Sequence, residues 1–275
     1  MNIDSIVVIS VNEAIDRRKR IIEWWDNPKI NLQFHIVERN KENPEKGCFT
    51  SHADIIKNAK KSGLNRILIL EDDAQPTTSI DNLIKKVNKA MRWLDNNDPK
   101  WTYLMLGYFP IRSEKTNNKD IVNIKCAYLS HAYIANLKNI NPPNWNNNKK
   151  LQIDDLLFCD GKYSNLTFTK MKNKKSRVYG LRPMIVKQYG IDSFISYSHS
   201  AIQEHFLHVV GQDNIAELSC HVNIIYFLIL VFLILILTLL GIPIILLNDK
   251  YPTLSNIYLA VYVILIISFI ILSVV

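Results

Sequence analysis

The sequence has no Walker-type or glycine-rich phosphate loop, and only 8 of its 275 residues are glycine. That leaves out the glycine-rich loops that commonly cradle nucleotide phosphates. No internal repeat occurs, which excludes solenoids and arrays. Its four cysteines, Cys48, Cys126, Cys159 and Cys220, are far apart and form no metal-type or redox-type pair. No disulfide framework is expected, and a reducing compartment is the simpler setting. The start, Met1-Asn2-Ile3-Asp4, lacks the basic and apolar regions of a signal peptide.

Charge is also missing from one long region. Asp249 and Lys250 are the only charged residues after Glu217. The runs 222–247 and 254–275 each exceed the roughly 20 apolar residues that span a bilayer. The expectation is a C-terminal hairpin of two transmembrane helices, preceded by a juxtamembrane linker over 201–221. The domain at 1–200 is then expected to stay in the cytosol, as the head of a multi-pass membrane protein. Asp249 and Lys250 cancel, so that head keeps the whole net charge of +8. Such an excess suits phosphates, nucleotides or a lipid surface, and is too diffuse to indicate nucleic acid.

What is present centres on Arg66-Ile67-Leu68-Ile69-Leu70-Glu71-Asp72-Asp73. Four bulky apolar residues without polar alternation read as a strand buried on both faces of a parallel sheet. Three carboxylates follow at its carboxyl end, where open α/β sheets bind ligands. Clustered carboxylates repel one another, and a cation with oxygen preferences, Mg²⁺ or Mn²⁺, would relieve that. In extended backbone Glu71 and Asp73 point one way and Asp72 the other, so Glu71 and Asp73 are the expected pair on one ion. The bland alternative is a polar cap on a strand end.

The remaining elements alternate. Ile6 to Ile9 is a second buried strand, with Asn12 as a cap for a helix carrying Arg17 and Arg18. Either arginine could hold a phosphate or simply face solvent. Leu32 to Val37 alternates as a strand. Ser51 with Asp54 reads as a capping box, and the helix runs to a stop at Gly63. His52 would then lie in the first turn, where free amides favour an anion. Ser79 opens a helix through Leu94. Trp101 to Gly107 is a strand ending at Gly107, where backbone can approach a ligand. Ile121 to Tyr133 reads as paired strands, and Val178 to Gln188 as one irregular strand containing Pro183. Asp154 and Asp155 precede an apolar helical face, and either is a candidate general base or a charge complementing the helix dipole. The sum is an α/β domain with a mostly parallel twisted sheet flanked by helices.

The order of motifs resembles glycosyltransferase family 25, the group of lipooligosaccharide glycosyltransferases and collagen galactosyltransferases. Gly47-Cys48-Phe49-Thr50-Ser51-His52 is similar to the family's Gly-Cys-x-x-Ser-His segment, and Ile69-Leu70-Glu71-Asp72-Asp73 to its strand end. Tyr103 to Gly107, Cys126 to Leu129, Ile153-Asp154, and Pro183 with Gln188 and Ser193 resemble later motifs. The closing segment departs from the family, reading Ile191-Asp192-Ser193-Phe194 where an acid follows the serine. The resemblance implies a GT-A-type fold and a nucleotide-sugar donor, with a UDP-sugar carrying galactose or glucose expected. It also implies a divalent metal at Glu71, Asp72 and Asp73, and inversion at the anomeric carbon. Donor contacts then fall to Arg17, Ser51, His52, Gly107 and Gln188. The acceptor is a hydroxyl of a glycan or protein. Two other classes compete: a catalytically inactive transferase-like scaffold at a membrane, and a metal-dependent phosphohydrolase using the same acids.

Overall fold

A computed structural model describes residues 2–143, 153–158 and 177–189. The chain divides into two units, Met1–Cys220 and His221–Val275, and everything described lies in the first. The expected membrane spans at 222–247 and 254–275, and the linker at 201–221, fall outside the described residues. Among the described residues no helix is long and apolar enough to cross a membrane.

The element order is β1 (Ser5–Val11), α1 (Ile15–Trp24), β2 (Leu32–Val37), α2 (Pro44–Lys61), β3 (Arg66–Glu71), β4 (Ala74–Pro76), α3 (Ile80–Asn97), β5 (Tyr103–Lys115), β6 (Ile121–Asn136), a short 3₁₀ turn at Leu137–Asn139, α4 (Ile153–Phe158), β7 (Val178–Leu181) and β8 (Val186–Gln188). Six strands form one sheet in the order β2-β1-β3-β6-β5-β7. β2 and β3 run parallel to β1, and β7 parallel to β5, while β6 opposes both β3 and β5. The sheet is therefore mixed, with β6 alone reversed, and helices cover both faces. A two-stranded ribbon pairs β4 with β8.

β3 shows why the sheet is central. Ile67 and Ile69 join one core, with Phe49 and Ile56 of α2 and Phe158 of α4. Leu68 and Leu70 join the other, with Ile21 of α1 and Leu83, Val87 and Leu94 of α3. All four are wholly buried, as the unbroken apolar run requires. Each buried aliphatic side chain contributes roughly 1.5–3 kcal/mol, so this strand ties both helical layers to one plane. Parity then fixes where the polar end points. Glu71 follows Ile67 and Ile69 toward α2, and Asp72 follows Leu68 and Leu70 toward α1.

Several boundaries differ from the sequence reading. α1 begins at Ile15 with Ala14 at the N-cap and no side-chain cap, so Asn12 does not cap it. α2 begins at Pro44, capped by the Asn43 side chain accepting from the Lys46 amide at 2.9 Å. Ser51 is two turns inside that helix, its hydroxyl donating to the Gly47 carbonyl at 2.8 Å. Proline at the first helical position outcompetes the later capping pattern. Gly63, with φ +73°, does close α2. Ser79 does cap α3, accepting from the Asn82 amide at 3.4 Å. Ile121 to Asn136 is one long strand rather than a pair, because β5 also extends to Lys115 and pairs along it through a series of register shifts. Val178 to Gln188 splits into β7 and β8, on different sheets. Cys126 is disulfide-bonded, with its partner outside the described residues. Separation along the chain hid this, since a bridge needs only closeness in space. The argument for a reducing compartment falls with it.

Gly107 lies within β5 rather than at its end. A Cβ there would sit 2.2 Å from the Val186 carbonyl oxygen and 2.3 Å from His131 Nε2. The close approach is to the protein's own atoms. Gly107→Ala is expected to cost about 1–3 kcal/mol through overpacking, read as a lower urea midpoint; an unchanged midpoint would show that the β5–β8 contact yields freely.

Candidate active site

Strands β1, β2 and β3 are parallel and all end at one cavity of about 110 Å³. Its lining includes Ser10 and Val11 from the end of β1, Val37 to Asn40 after β2, and Pro44, Gly47, Cys48, Ser51 and His52 from α2. Arg17 of α1, the acids Glu71, Asp72 and Asp73, and Gln188 complete it. This is the crevice beyond the carboxyl ends of the strands, beside the reversed strand β6. All three acids face it.

Their partners divide them differently from the expected pattern. β3 ends at Glu71 and the chain turns through Asp72 and Asp73, so alternation does not carry on to Asp73. Asp72 and Asp73 share one cation. Arg17 Nη1 donates to Asp72 Oδ1 at 2.8 Å and Nη2 to Asp73 Oδ2 at 3.4 Å. Ser10 Oγ donates to Asp72 Oδ2 at 2.7 Å, and Gln188 Nε2 to Asp73 Oδ2 at 3.1 Å. Glu71 instead accepts from Ser130 Oγ at 3.0 Å and lies 3.5 Å from His52 Nε2. The pair held by a common partner is thus Asp72 with Asp73, and not Glu71 with Asp73.

The electrostatics follow from burial. Asp72 and Asp73 are each 5% exposed. Burial, the Glu71 charge and Asp72 push the Asp73 carboxyl up to about 7, against the pull of Arg17 and Gln188. Asp72 is raised by the same desolvation, offset by Arg17 and Ser10. Glu71 is also desolvated, but His52, His131 and the Ser130 hydroxyl outweigh that and hold it below the usual carboxylate range. Burial lowers His131 to about 4, so it stands neutral. Three acids therefore share this cavity with the Arg17 guanidinium, and among the described residues Asp73 Oδ1 is buried with no hydrogen-bond partner. An orphaned carboxylate oxygen in an acid-rich cavity fits a hard divalent cation such as Mn²⁺ or Mg²⁺, which prefers oxygen ligands.

The other expected residues distribute unevenly. Arg17 lines the cavity, with its guanidinium engaged by the two aspartates. Ser51 and His52 line it as well, but from inside α2, so the reasoning from free helix-start amides does not hold for them. Gln188 arrives from 115 residues away through the β4–β8 ribbon, where Ala74 lies opposite it. Gly107 does not line the cavity. Asp154 and Asp155 are in the first turn of α4, whose Ile153, Leu157 and Phe158 are buried; their side chains are outside the described residues, as are Ile191, Asp192 and Ser193. Sequence reasoning missed Ser10, Ser130 and His131. Only Cys48, four residues before His52, carried a legible spacing signal.

The raised Asp73 carboxyl has a consequence for stability without metal. Between the ordinary value of about 3.9 and about 7, the folded protein keeps a proton that the unfolded chain releases. Stability therefore falls as pH rises through that window and levels off above it. Asp73→Asn removes this loss. In chelator-treated protein, the variant's Tm relative to wild type should improve from about pH 4 to about pH 8; a difference that stays flat would mean Asp73 ionises normally.

The family model for glycosyltransferase family 25, described as an LPS biosynthesis protein, matches residues 36–204. No curated protein matches significantly. Among solved structures, A197 from STIV is 12% identical over 68% of this chain and 85% of its own, with a TM-score of 0.41. Apo UDP-glucose pyrophosphorylase is 12% identical over 74% and 82%, at 0.36. A glycosyltransferase involved in glycosylation of the major capsid of PBCV-1 is 18% identical over 49% and 62%, at 0.28. Those structural scores are too low to bear on function. The family match covers more than half the chain and spans the Gly47–His52 segment, the acidic end of β3 and Gln188: this chain belongs to glycosyltransferase family 25.

Proposed function

We propose that the protein is a metal-dependent, inverting hexosyltransferase of GT-A type. It would move galactose or glucose from a UDP-sugar to a hydroxyl of a glycan or protein. The observation that carries this reading is the convergence of Glu71, Asp72 and Asp73 on one cavity, with Asp73 Oδ1 buried and, among the described residues, unpartnered. Asp73, with Asp72 and Glu71 directly or through water, would hold Mn²⁺ or Mg²⁺. A bound cation of that kind supplies electrostatic stabilisation of the charge that develops on the departing diphosphate.

The chain's own groups do the rest. Arg17 keeps two aspartates close together that would otherwise repel. Gln188 fixes one oxygen of Asp73, and among the described residues the other is buried without a hydrogen-bond partner. Ser51 and His52 meet the donor from the α2 wall. Asp154 or Asp155 takes the proton of the acceptor hydroxyl as that oxygen attacks the anomeric carbon and the diphosphate leaves from the opposite face. The apolar runs at 222–247 and 254–275 would anchor the domain to a membrane.

One observation favours a second reading, an inactive membrane-bound scaffold. Arg17 already neutralises much of the charge of Asp72 and Asp73, as a structural ion pair would. The full chain with Mn²⁺ and a panel of nucleotide sugars separates the two. Metal-dependent UDP release is expected from one UDP-hexose, and about 10²-fold or more is lost in Asp73→Asn with unchanged circular dichroism. No turnover from any donor, with a partner bound equally by wild type and variant, would establish the scaffold. Phosphate release from simple esters without a sugar donor would instead mark a phosphohydrolase.

A further inference from the structure

The α2 wall of the cavity carries donors of a different chemistry from the aspartates. Cys48 and His52 are one turn apart on α2 and share a face. His52 is 1% exposed. Its Nδ1 is 2.8 Å from the Tyr133 hydroxyl, and the two rings stack at 5.7 Å. Among the described residues its Nε2 is buried with no hydrogen-bond partner, and it lies 3.5 Å from Glu71 Oε1. One ligand atom from each of Cys48, His52 and Glu71 falls within 4.8 Å of the others.

We propose that Cys48, His52 and Glu71 form a binding site for a borderline-soft divalent cation of the Zn²⁺ class. Thiolate, imidazole and carboxylate are the ligands that Zn²⁺ takes. Mg²⁺ and Mn²⁺ prefer all-oxygen sets such as the neighbouring aspartates. Zinc bonds of about 2.3 Å to sulfur and about 2.0–2.1 Å to nitrogen need the donors to close up by about 1 Å. When Nδ1–H donates to the Tyr133 hydroxyl, Nε2 keeps its lone pair on the side of Glu71, and the hydroxyl fixes the ring as an outer partner. Ser130 Oγ steadies Glu71 in the same way. Three protein ligands leave a fourth position open toward the cavity. Strand parity already turns Glu71 from the Arg17 group toward His52; the assignment gives Glu71 to the softer cation instead of the hard one and leaves Asp72 and Asp73 to the latter. It stands whether or not the protein transfers sugar.

Co²⁺, a spectroscopic stand-in for Zn²⁺, tests it on the full chain. A near-ultraviolet thiolate-to-cobalt charge-transfer band is expected, displaced by Zn²⁺, absent in Cys48→Ser and kept in Asp73→Asn. Zn²⁺ should also slow alkylation of Cys48, followed by peptide mapping. Tyr133→Phe keeps all three ligands and should weaken Zn²⁺ by about 10–100-fold, which a merely structural Cys48 would not show. A missing band, a band that survives Cys48→Ser or is lost in Asp73→Asn, or alkylation indifferent to Zn²⁺ would overturn the proposal.

Discussion

The structure turns on a charge imbalance at the end of one buried strand. Glu71, Asp72 and Asp73 are drawn out of water by the burial of Ile67 to Leu70 behind them, and among the described residues Arg17 is the cation that pairs with Asp72 and Asp73. Carboxylates in such a setting must be paired, protonated or bound to metal, because an isolated buried charge is too costly. The protein uses the first two remedies visibly. Arg17 bridges Asp72 and Asp73, and the Asp73 carboxyl is pushed up to about 7. The oxygen that neither remedy satisfies, Asp73 Oδ1, is where the third would act.

The sheet makes this arrangement possible by sorting side chains to two faces. Strand parity sends Glu71 toward α2 and Asp72 toward α1, so neighbouring acids meet different chemistry within one cavity. On the α1 side are a guanidinium and the Ser10 hydroxyl. On the α2 side are imidazole, thiol and, from β6, the Ser130 hydroxyl. The turn after β3 then breaks parity and returns Asp73 to the Arg17 side. One short stretch of chain thus presents oxygen donors to two environments whose electrostatics differ in sign of shift: Glu71 is held low while Asp72 and Asp73 are raised.

Long-range topology supplies what no local stretch contains. The β4–β8 ribbon starts right after the acids and pairs Ala74 with Gln188, which places the Gln188 amide on Asp73. Its tight seam depends on Gly107, where Val186 and His131 leave no room for a side chain. The same β6 that reverses the sheet delivers Ser130, His131 and Tyr133 behind Glu71 and His52. A mixed sheet therefore does more than close the fold, since its one reversed strand backs the acid end of β3.

What the sequence alone determined was local and periodic. An unbroken apolar run followed by acids forces a doubly buried strand with a charged rim, and the spacing in α3 forces an amphipathic helix behind Ser79. Membership of the family was legible in Gly47 to His52 and Glu71 to Asp73, because those motifs are short and contiguous. The start of α2 was misread because two capping signals competed and only the helix as a whole, begun by Pro44, decides between them. Tertiary structure alone decided which acid meets which partner. Arg17, Ser10, Ser130 and Gln188 are brought to the acids by strand order, and pairing across tens of residues leaves no periodic trace in the chain.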